Sequence, residues 1–189
     1  VPLACVLVFA GFPGRRLILS VFNTLMALPS VVAGLLVYSL LCRRGVFGDW
    51  NILYTPFAMA MGQFILALPI IVSLSASFLD NADPRIRRTA STLGATRLAA
   101  VLAVVMETRG GLIPVLLAGF GRVFAEVGAS MMLGGNIRNY TRNIPTAMAV
   151  KTSEGEFASA LALGLILLAA AFSINAVVRL FRKGGTHAL

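Results

Sequence analysis

The chain has 189 residues, of which 58% are hydrophobic and 12% charged, and its mean hydropathy is +0.89. Its polar residues are confined to short connectors, which excludes a soluble globular domain and indicates an integral membrane protein. The net charge of +9 does not indicate a nucleic-acid partner, because the basic residues are spread over several connectors and form no single basic face.

Hydrophobic windows predict an all-α membrane protein, a polytopic helical bundle. Residues 1–10 are apolar but shorter than the roughly 20 residues that cross a bilayer. They begin without Met, so we interpret them as the end of a helix and expect N-terminal sequence to be missing. With this partial helix, about five transmembrane helices are expected. The four full windows are 17–41, 57–79, 112–134 and 157–178.

An Ala-Leu-Pro triplet lies in the middle of each of the first two windows and places Pro29 and Pro69 there. Each proline leaves a carbonyl without its helical donor, so each is expected to bend its helix. Polar residues near the prolines could satisfy those carbonyls, or could donate hydrogen bonds to a solute that crosses the membrane. These residues are Asn23, Thr24, Ser30 and Gln63.

The connector 80–111 contains the strongest local helix signal, over residues 84–93. Asp83 is a favourable N-cap, Pro84 suits the first helical position, and Gly94 suits a left-handed C-terminal stop. One side of this helix carries Ile86, Ala90 and Leu93, and another carries Arg85, Arg88 and Thr92. The pattern predicts a short amphipathic helix that contacts something outside the membrane.

The distribution of basic residues predicts that this connector and the C-terminus are cytoplasmic. Ten basic residues lie on the side of 80–111: Arg15, Arg16, Arg85, Arg87, Arg88, Arg97, Arg109, Arg179, Arg182 and Lys183. Five lie on the other side: Arg43, Arg44, Arg138, Arg142 and Lys151. This bias is the one that the positive-inside rule describes.

Arg122 and Glu126 lie four residues apart within the window 112–134. On one helix this spacing predicts an intramembrane ion pair, since isolated charges in hydrocarbon cost several kcal/mol. The pair could have a purely structural role and hold neighbouring helices together. Alternatively, Arg122 could provide positive potential along a solute route or at a gate. Small residues at four-residue spacing, Gly121, Ala125 and Ala129, predict close helix packing within the chain or between two copies.

The connector 134–157 groups polar residues on the side opposite 80–111. Arg138, Asn139 and Arg142 lie close together there. They could form an ordinary solvated loop, or they could bind a partner protein or attract anions.

The residue inventory excludes several enzyme classes. His187 stands alone near the C-terminus and is expected to be solvated, and Cys5 and Cys42 lack the spacing of a metal or redox motif. No Gly-Lys dipeptide is present, so the chain has no phosphate-binding loop of the G-x-x-x-x-G-K-[ST] type. We therefore expect no enzyme activity, metal or cofactor in this chain, and any ATP hydrolysis is expected on a separate chain.

Two stretches resemble the permeases of bacterial ABC importers. Those permeases carry a cytoplasmic E-A-A, three residues, G pattern, which Arg88-Thr89-Ala90 and Gly94 match in spacing, although Arg88 replaces the usual Glu. Residues 116–143 resemble the molybdate, tungstate and sulfate permeases, which have an Arg, a Glu and a Gly-Ala in register on the fifth helix. Several runs resemble the tungstate type more than the molybdate type: 120–125, 126–129, 134–137, 140–142 and 152–157.

This resemblance, which covers nearly the whole chain, implies a type I ABC importer permease of the bacterial inner membrane, a single transmembrane domain over 1–189 with 80–111 as its cytoplasmic coupling loop. The implied function is tungstate import, with molybdate or sulfate as alternatives. The implied partners are a pair of ATP-binding subunits, a periplasmic or lipid-anchored oxyanion-binding protein, a second permease copy and membrane lipid. The implied ATPase-coupling residues are Ile86, Arg87, Arg88, Ala90, Leu93 and Gly94.

The translocation or gating candidates are Arg122, Glu126, Asn23, Ser30 and Gln63, and the external docking candidates are Arg138, Asn139 and Arg142. An ion-gradient transporter or a channel subunit would explain the spans and buried charges equally well. It would explain the capped helix 84–93 poorly.

Overall fold

The computed structural model describes residues 1–10 and 12–184, with side chains up to residue 180. In this part of the chain all regular structure is helical, which confirms the all-α prediction, whereas His187 lies outside it. The helices are α1 (Pro2–Phe9), α2 (Arg15–Leu25), α3 (Ser30–Leu41), α4 (Pro56–Asp80), α5 (Pro84–Thr92), α6 (Arg97–Glu107), α7 (Arg109–Phe124), α8 (Gly128–Gly134), α9 (Ile144–Ser153) and α10 (Phe157–Gly184), with a 3₁₀ turn at Gly48–Trp50 between α3 and α4.

Two described helices are long and apolar enough to cross a membrane singly, α4 and the part of α10 from Phe157 to Leu180. Up to four spans result if two interrupted pairs, α2 with α3 and α6 with α7, each count as one. The windows 57–79 and 157–178 thus correspond to single helices. The prediction of one helix over 112–134 is wrong, because α7 ends at Phe124 and α8 begins at Gly128. The count of about five transmembrane helices stays a prediction.

The two prolines have different effects. Pro29 stands directly before α3, with φ −62° and ψ 133°, and α2 has already ended at Leu25. A proline lacks the N–H of the helical ladder and disfavours helical geometry at the preceding residue, so the helix stops and restarts there. Pro69 lies inside α4, which is continuous from Pro56 to Asp80. The window 17–41 is therefore interrupted, whereas the window 57–79 forms one continuous helix.

The chain divides into two compact units, and each combines early and late segments. The first unit contains Val1–Ala27 and Ala67–Phe120, and the second contains Leu28–Leu66 and Gly121–Leu189. The core of the first unit joins α1, α4, α6 and α7 through Ala4, Val8, Ala76, Leu79, Val104 and Leu112. In this unit α5 packs on α6.

In the second unit α3 packs against α8 where two small residues meet. A Cβ added to Gly34 would lie 3.0 Å from the Cα of Ala129, so the two backbones approach closely. On the same unit, a Cβ on Gly62 of α4 would collide with the side chain of Leu133. The predicted row of small residues is Gly121, Ala125 and Ala129. Ala129 packs within the chain, whereas a Cβ added to Gly121 would meet no described atom within 4 Å. The helix α9 packs along α10.

The local prediction for residues 84–93 agrees with α5 to within one residue. The Asp83 side chain accepts a hydrogen bond of 2.8 Å from the backbone N–H of Arg85, and Pro84 is the first helical residue. Gly94, just beyond the end, has φ +83°, a left-handed conformation that glycine adopts without steric cost. Local capping chemistry is sufficient to define this helix.

Candidate translocation site

Two helix starts meet in the second unit, and both follow interruptions of a predicted span. One is the start of α3 at Ser30, and the other is the start of α8 at Gly128. A Cβ added to Gly128 would lie 2.9 Å from Ser30 Oγ and 2.9 Å from Val31 Cγ2. The absence of a side chain at Gly128 therefore allows the two starts to approach each other.

Arg122 extends from the last turn of α7 toward the same interruption. Its Nη2 lies 3.5 Å from the carbonyl oxygen of Leu28, at the long end of the hydrogen-bond range. That carbonyl stands just before Pro29, where the helical ladder is broken. The guanidinium has five N–H donors, so within the described part of the chain this one long contact leaves most of its donor capacity unused.

Glu126 is 3% exposed and has a different partner from the predicted one. Its Oε1 accepts a hydrogen bond of 3.0 Å from the backbone N–H of Ala129, in the first turn of α8. The predicted Arg122–Glu126 ion pair is wrong, since the described ion pairs join other residues. The physical reason is that α7 ends at Phe124, so the two side chains do not share one helical face.

The separation of these two charges leaves a positive side chain inside the membrane region. The 12 residues of α3 extend about 18 Å, less than the hydrocarbon thickness of roughly 30 Å. When the end of α3 lies at the membrane surface, its start at Ser30 therefore lies within the hydrocarbon layer. A guanidinium with unused donors beside this start can attract and hydrogen-bond an oxyanion.

The other translocation candidates are less closely connected to Arg122. Ser30 stands beside Gly128, as described, and is half-buried. Gln63 is half-buried on α4 in the same unit, whereas Asn23 is exposed on α2 in the other unit. Thr24 donates a 2.9 Å hydrogen bond to the Ser20 carbonyl, so its hydroxyl is engaged within its own helix.

The ATPase-coupling candidates on α5 do not share one exposed surface. Ile86 packs against the core of the first unit, and the Arg87 guanidinium lies 5.6 Å from the centre of the Phe9 ring. Ala90 is half-buried, whereas Arg88 is exposed and Leu93 is 82% exposed. The predicted row of Ile86, Ala90 and Leu93 is thus divided, because Ile86 packs against the core of its own unit whereas Leu93 is exposed.

The external docking candidates lie on a tight turn after α8. Arg138, Asn139 and Arg142 are all exposed. The turn is held by Thr141, whose hydroxyl donates to the Gly134 carbonyl and accepts a 2.9 Å hydrogen bond from the Ile137 N–H. The exposed side chains therefore project from a defined backbone.

Lys151, another basic residue of this connector, is already paired. Its ammonium lies 3.0 Å from carboxylate oxygens of both Glu154 and Glu156. The hydrogen bond to Glu156, followed by that to Glu154, raises the pKa of Lys151, and Lys151 in turn lowers the pKa of the Glu156 carboxyl. Its charge is locally neutralised, so Arg138 and Arg142 supply the unpaired positive charge of this connector.

Sequence reasoning missed Gly128 and the Leu28 carbonyl as parts of the site. Two features of the sequence indicate these breaks. Leu28 precedes a proline, and Glu126 lies three residues before Ala129, whose backbone N–H donates to the Glu126 side chain. The overall hydrophobicity of the window 112–134, despite Arg122 and Glu126, favoured a single helix instead.

Interrupted membrane helices whose starts converge near a charged side chain are a feature of membrane transport proteins, and this is the class that fold and site define. The chain matches the family described as "Binding-protein-dependent transport system inner membrane component" over residues 1–184, and it belongs to that family.

Three relatives show where the chain falls within this family. The tungstate uptake system permease protein TupB of Campylobacter jejuni is 37% identical, over 93% of this chain and 73% of that protein. TupB of Peptoclostridium acidaminophilum is 41% identical, over 90% of this chain and 76% of that protein. A probable anion ABC transporter permease protein of Haloferax volcanii is 39% identical, over 96% of this chain and 80% of that protein.

Proposed function

We propose that this chain is the permease subunit of an ATP-driven importer that moves tungstate across the inner membrane. The observation that carries the proposal is the similarity to two tungstate uptake permeases over at least nine tenths of the chain. The half-buried Arg122 at the converging helix starts is consistent with an anionic substrate. Molybdate and sulfate have the same charge and a similar tetrahedral shape, so they are the alternatives that an experiment must separate.

The energy source would be ATP hydrolysis on a pair of partner subunits, and the chain itself would not be an enzyme. We place the contact with these subunits on α5, in the cytoplasm. Ile86 and Arg87 would anchor α5 to its own unit, and the exposed Arg88 and Leu93 would contact the ATPase. A rigidly anchored helix can transmit a displacement of the ATPase to the membrane helices.

The substrate would be delivered by a separate oxyanion-binding protein on the outer side. The exposed Arg138, Asn139 and Arg142 would contact that protein or increase the local anion concentration. A second permease copy would complete the route. The wide apolar surface of α10 and the open space at Gly121 leave room for a second copy and for lipid.

Within the membrane, Arg122 would provide a weak and transient site for the anion. A strongly bound anion would not be released, so the permease needs a modest attraction, while high affinity belongs to the binding protein. Pro29 and the break at 125–127 would supply the flexible points at which the route opens and closes.

The test is the tungsten and molybdenum content of cells that contain or lack this chain, grown with equal low concentrations of tungstate and molybdate. Loss of tungsten alone, restored by an unchanged copy of the gene, is the expected result. Loss of both metals, or chiefly of molybdenum, would assign a broader oxyanion substrate, and loss of neither would contradict the proposal. Co-purification of an ATP-binding subunit would exclude the ion-gradient alternative.

A further inference from the structure

The connector between α3 and α4 exposes an unusual apolar group. Val46 is 81% exposed, Trp50 is 65% exposed and Phe47 is 36% exposed. The rings of Phe47 and Trp50 lie against each other, with centroids 5.0 Å apart and planes at 43°. An exposed ring pair and an exposed valine within five residues indicate a surface whose natural contact is not water.

The backbone holds these side chains outward in a defined turn. The Phe47 N–H donates a 2.9 Å hydrogen bond to the Leu40 carbonyl, which ties the turn to the last residues of α3. Gly48 is buried so tightly that a Cβ there would lie 2.6 Å from the Cys42 carbonyl oxygen. The exposure of the apolar side chains therefore follows from a closely packed backbone.

The turn lies at the level of a membrane surface, because it joins the ends of two membrane helices. α3 ends at Leu41, α4 begins at Pro56, and both belong to candidate spans. Leu36 and Leu40, near the end of α3, are also exposed, and the Leu40 carbonyl accepts the hydrogen bond from Phe47. Tryptophan is enriched at this level of membrane proteins, where its ring contacts acyl chains and its N–H remains near water.

Two cationic side chains lie beside the apolar group. Arg43 and Arg44 are exposed and line a cleft of about 550 Å³, together with Tyr38 and Tyr54. Asp49 is the acidic residue of the same turn, so the turn retains a positive charge. A guanidinium binds a phosphate through two parallel hydrogen bonds, and every phospholipid presents a phosphate at this height.

We infer that residues 42–50 form a phospholipid-binding element, in which Val46, Phe47 and Trp50 enter the membrane interface and Arg43 and Arg44 bind the headgroup phosphate. The combination of apolar tip, adjacent cations and interfacial height favours lipid over a soluble protein partner. Such an element would fix the height of α3 and α4 in the bilayer, and therefore the depth of the interruption at Pro29.

Trp50 supplies the test, since it is the single tryptophan of the sequence. The complete permease is reconstituted into phosphatidylcholine vesicles with some phosphatidylglycerol, and its tryptophan emission is measured. The emission of the Trp50→Phe variant, measured in the same way, is subtracted as background. Lipids brominated close to the headgroup are expected to quench Trp50 about twofold more than lipids brominated near the chain end, because tryptophan resides at the interface. Quenching by aqueous acrylamide is expected to be weak.

A charge variant tests the role of the arginines. Arg43→Gln with Arg44→Gln is expected to reduce quenching by the brominated lipids and to increase quenching by acrylamide. The matched control, Arg138→Gln with Arg142→Gln, removes the same charge from another exposed turn and should leave Trp50 unchanged. An unchanged Trp50 signal in the Arg43 and Arg44 variant would overturn the phosphate-binding role.

Two further outcomes would overturn the inference as a whole. One is full quenching of Trp50 by acrylamide with no effect of brominated lipid, which would place the turn in water. The other is protection of Trp50 from acrylamide only after the purified oxyanion-binding protein is added, which would assign the turn to protein docking.

Discussion

Arg122 and Glu126 lie four residues apart but have different hydrogen-bond partners. Glu126 is committed to the Ala129 N–H, whereas Arg122 faces a carbonyl at a break in another helix. A buried carboxylate at the start of a helix stabilises that start through a charge-assisted hydrogen bond and the helix dipole. The two residues therefore have separate roles and require separate tests.

Arg122→Gln is expected to lower the rate of oxyanion uptake about tenfold, as the loss of roughly 1.4 kcal/mol of attraction would. Arg122→Lys should retain most of the uptake because it keeps the positive charge. The measurement is initial uptake of tungstate at low concentration, with the amount of assembled complex determined in parallel. Normal uptake by Arg122→Gln would assign Arg122 to helix packing alone.

Glu126→Gln keeps an oxygen that can accept from the Ala129 N–H, whereas Glu126→Ala does not. Loss of a helix cap costs about 1 kcal/mol. We therefore expect thermal unfolding in detergent to be close to that of the unchanged protein for the Gln variant and clearly earlier for the Ala variant. Equal destabilisation by both would show that the charge of Glu126 matters more than its hydrogen bond.

At the scale of helices, close contacts at glycines and the caps of α5 determine how the elements are placed. Gly34 allows α3 to approach α8, and Gly94 ends α5 in a left-handed conformation. These two glycines act differently, since one provides space and the other provides a backbone angle. Each effect therefore needs its own control variant.

Gly34→Ala should destabilise the second unit, because its Cβ would lie 3.0 Å from the Ala129 backbone. Overpacking of this kind costs roughly 1–3 kcal/mol. Gly121→Ala is the control, since its Cβ would meet nothing within 4 Å in the described chain. Thermal unfolding of both variants in detergent checks the difference. A destabilised oligomer with Gly121→Ala would instead place Gly121 in a contact between permease copies.

Gly94→Val is expected to uncouple ATP hydrolysis from transport. No atom of the described chain lies within 4 Å of a Cβ built at this position, so the effect would come from the left-handed backbone, which costs a non-glycine residue about 1–2 kcal/mol. Gly94→Asn is the control, because asparagine tolerates this conformation. The ratio of tungstate transported to ATP hydrolysed by the complete transporter is the measurement. An unchanged ratio in Gly94→Val would contradict the role of α5 in coupling.

For the molecule as a whole, the unpaired positive charge of the connector 134–157 belongs to Arg138 and Arg142, because Lys151 is neutralised by Glu154 and Glu156. Long-range attraction of an anion or an acidic partner weakens as salt screens the field. A function that depends on this charge must therefore depend on ionic strength.

Arg138→Gln combined with Arg142→Gln is predicted to reduce uptake more at low salt than at high salt. Tungstate uptake over a range of ionic strength checks this, with Lys151→Gln as a control that removes a locally paired charge. A loss of uptake that is independent of salt would indicate that the two arginines act through packing.

The amino-acid sequence was sufficient to predict the membrane class, the helix α5 and the continuous helices α4 and α10. Long apolar runs and end caps act within a few residues of one another, so local physics is sufficient for these features. The resemblance of residues 116–143 also identified the permease family before any geometry was known.

Which charged and apolar groups contact each other depends instead on how the helices pack. The window 112–134 is interrupted between Phe124 and Gly128, and Glu126 has a backbone partner in place of Arg122. Ile86 packs against the core of its own unit. Each outcome depends on a neighbouring helix that is distant along the chain. Hydrophobicity records that a residue avoids water, but it does not record which surface replaces the water.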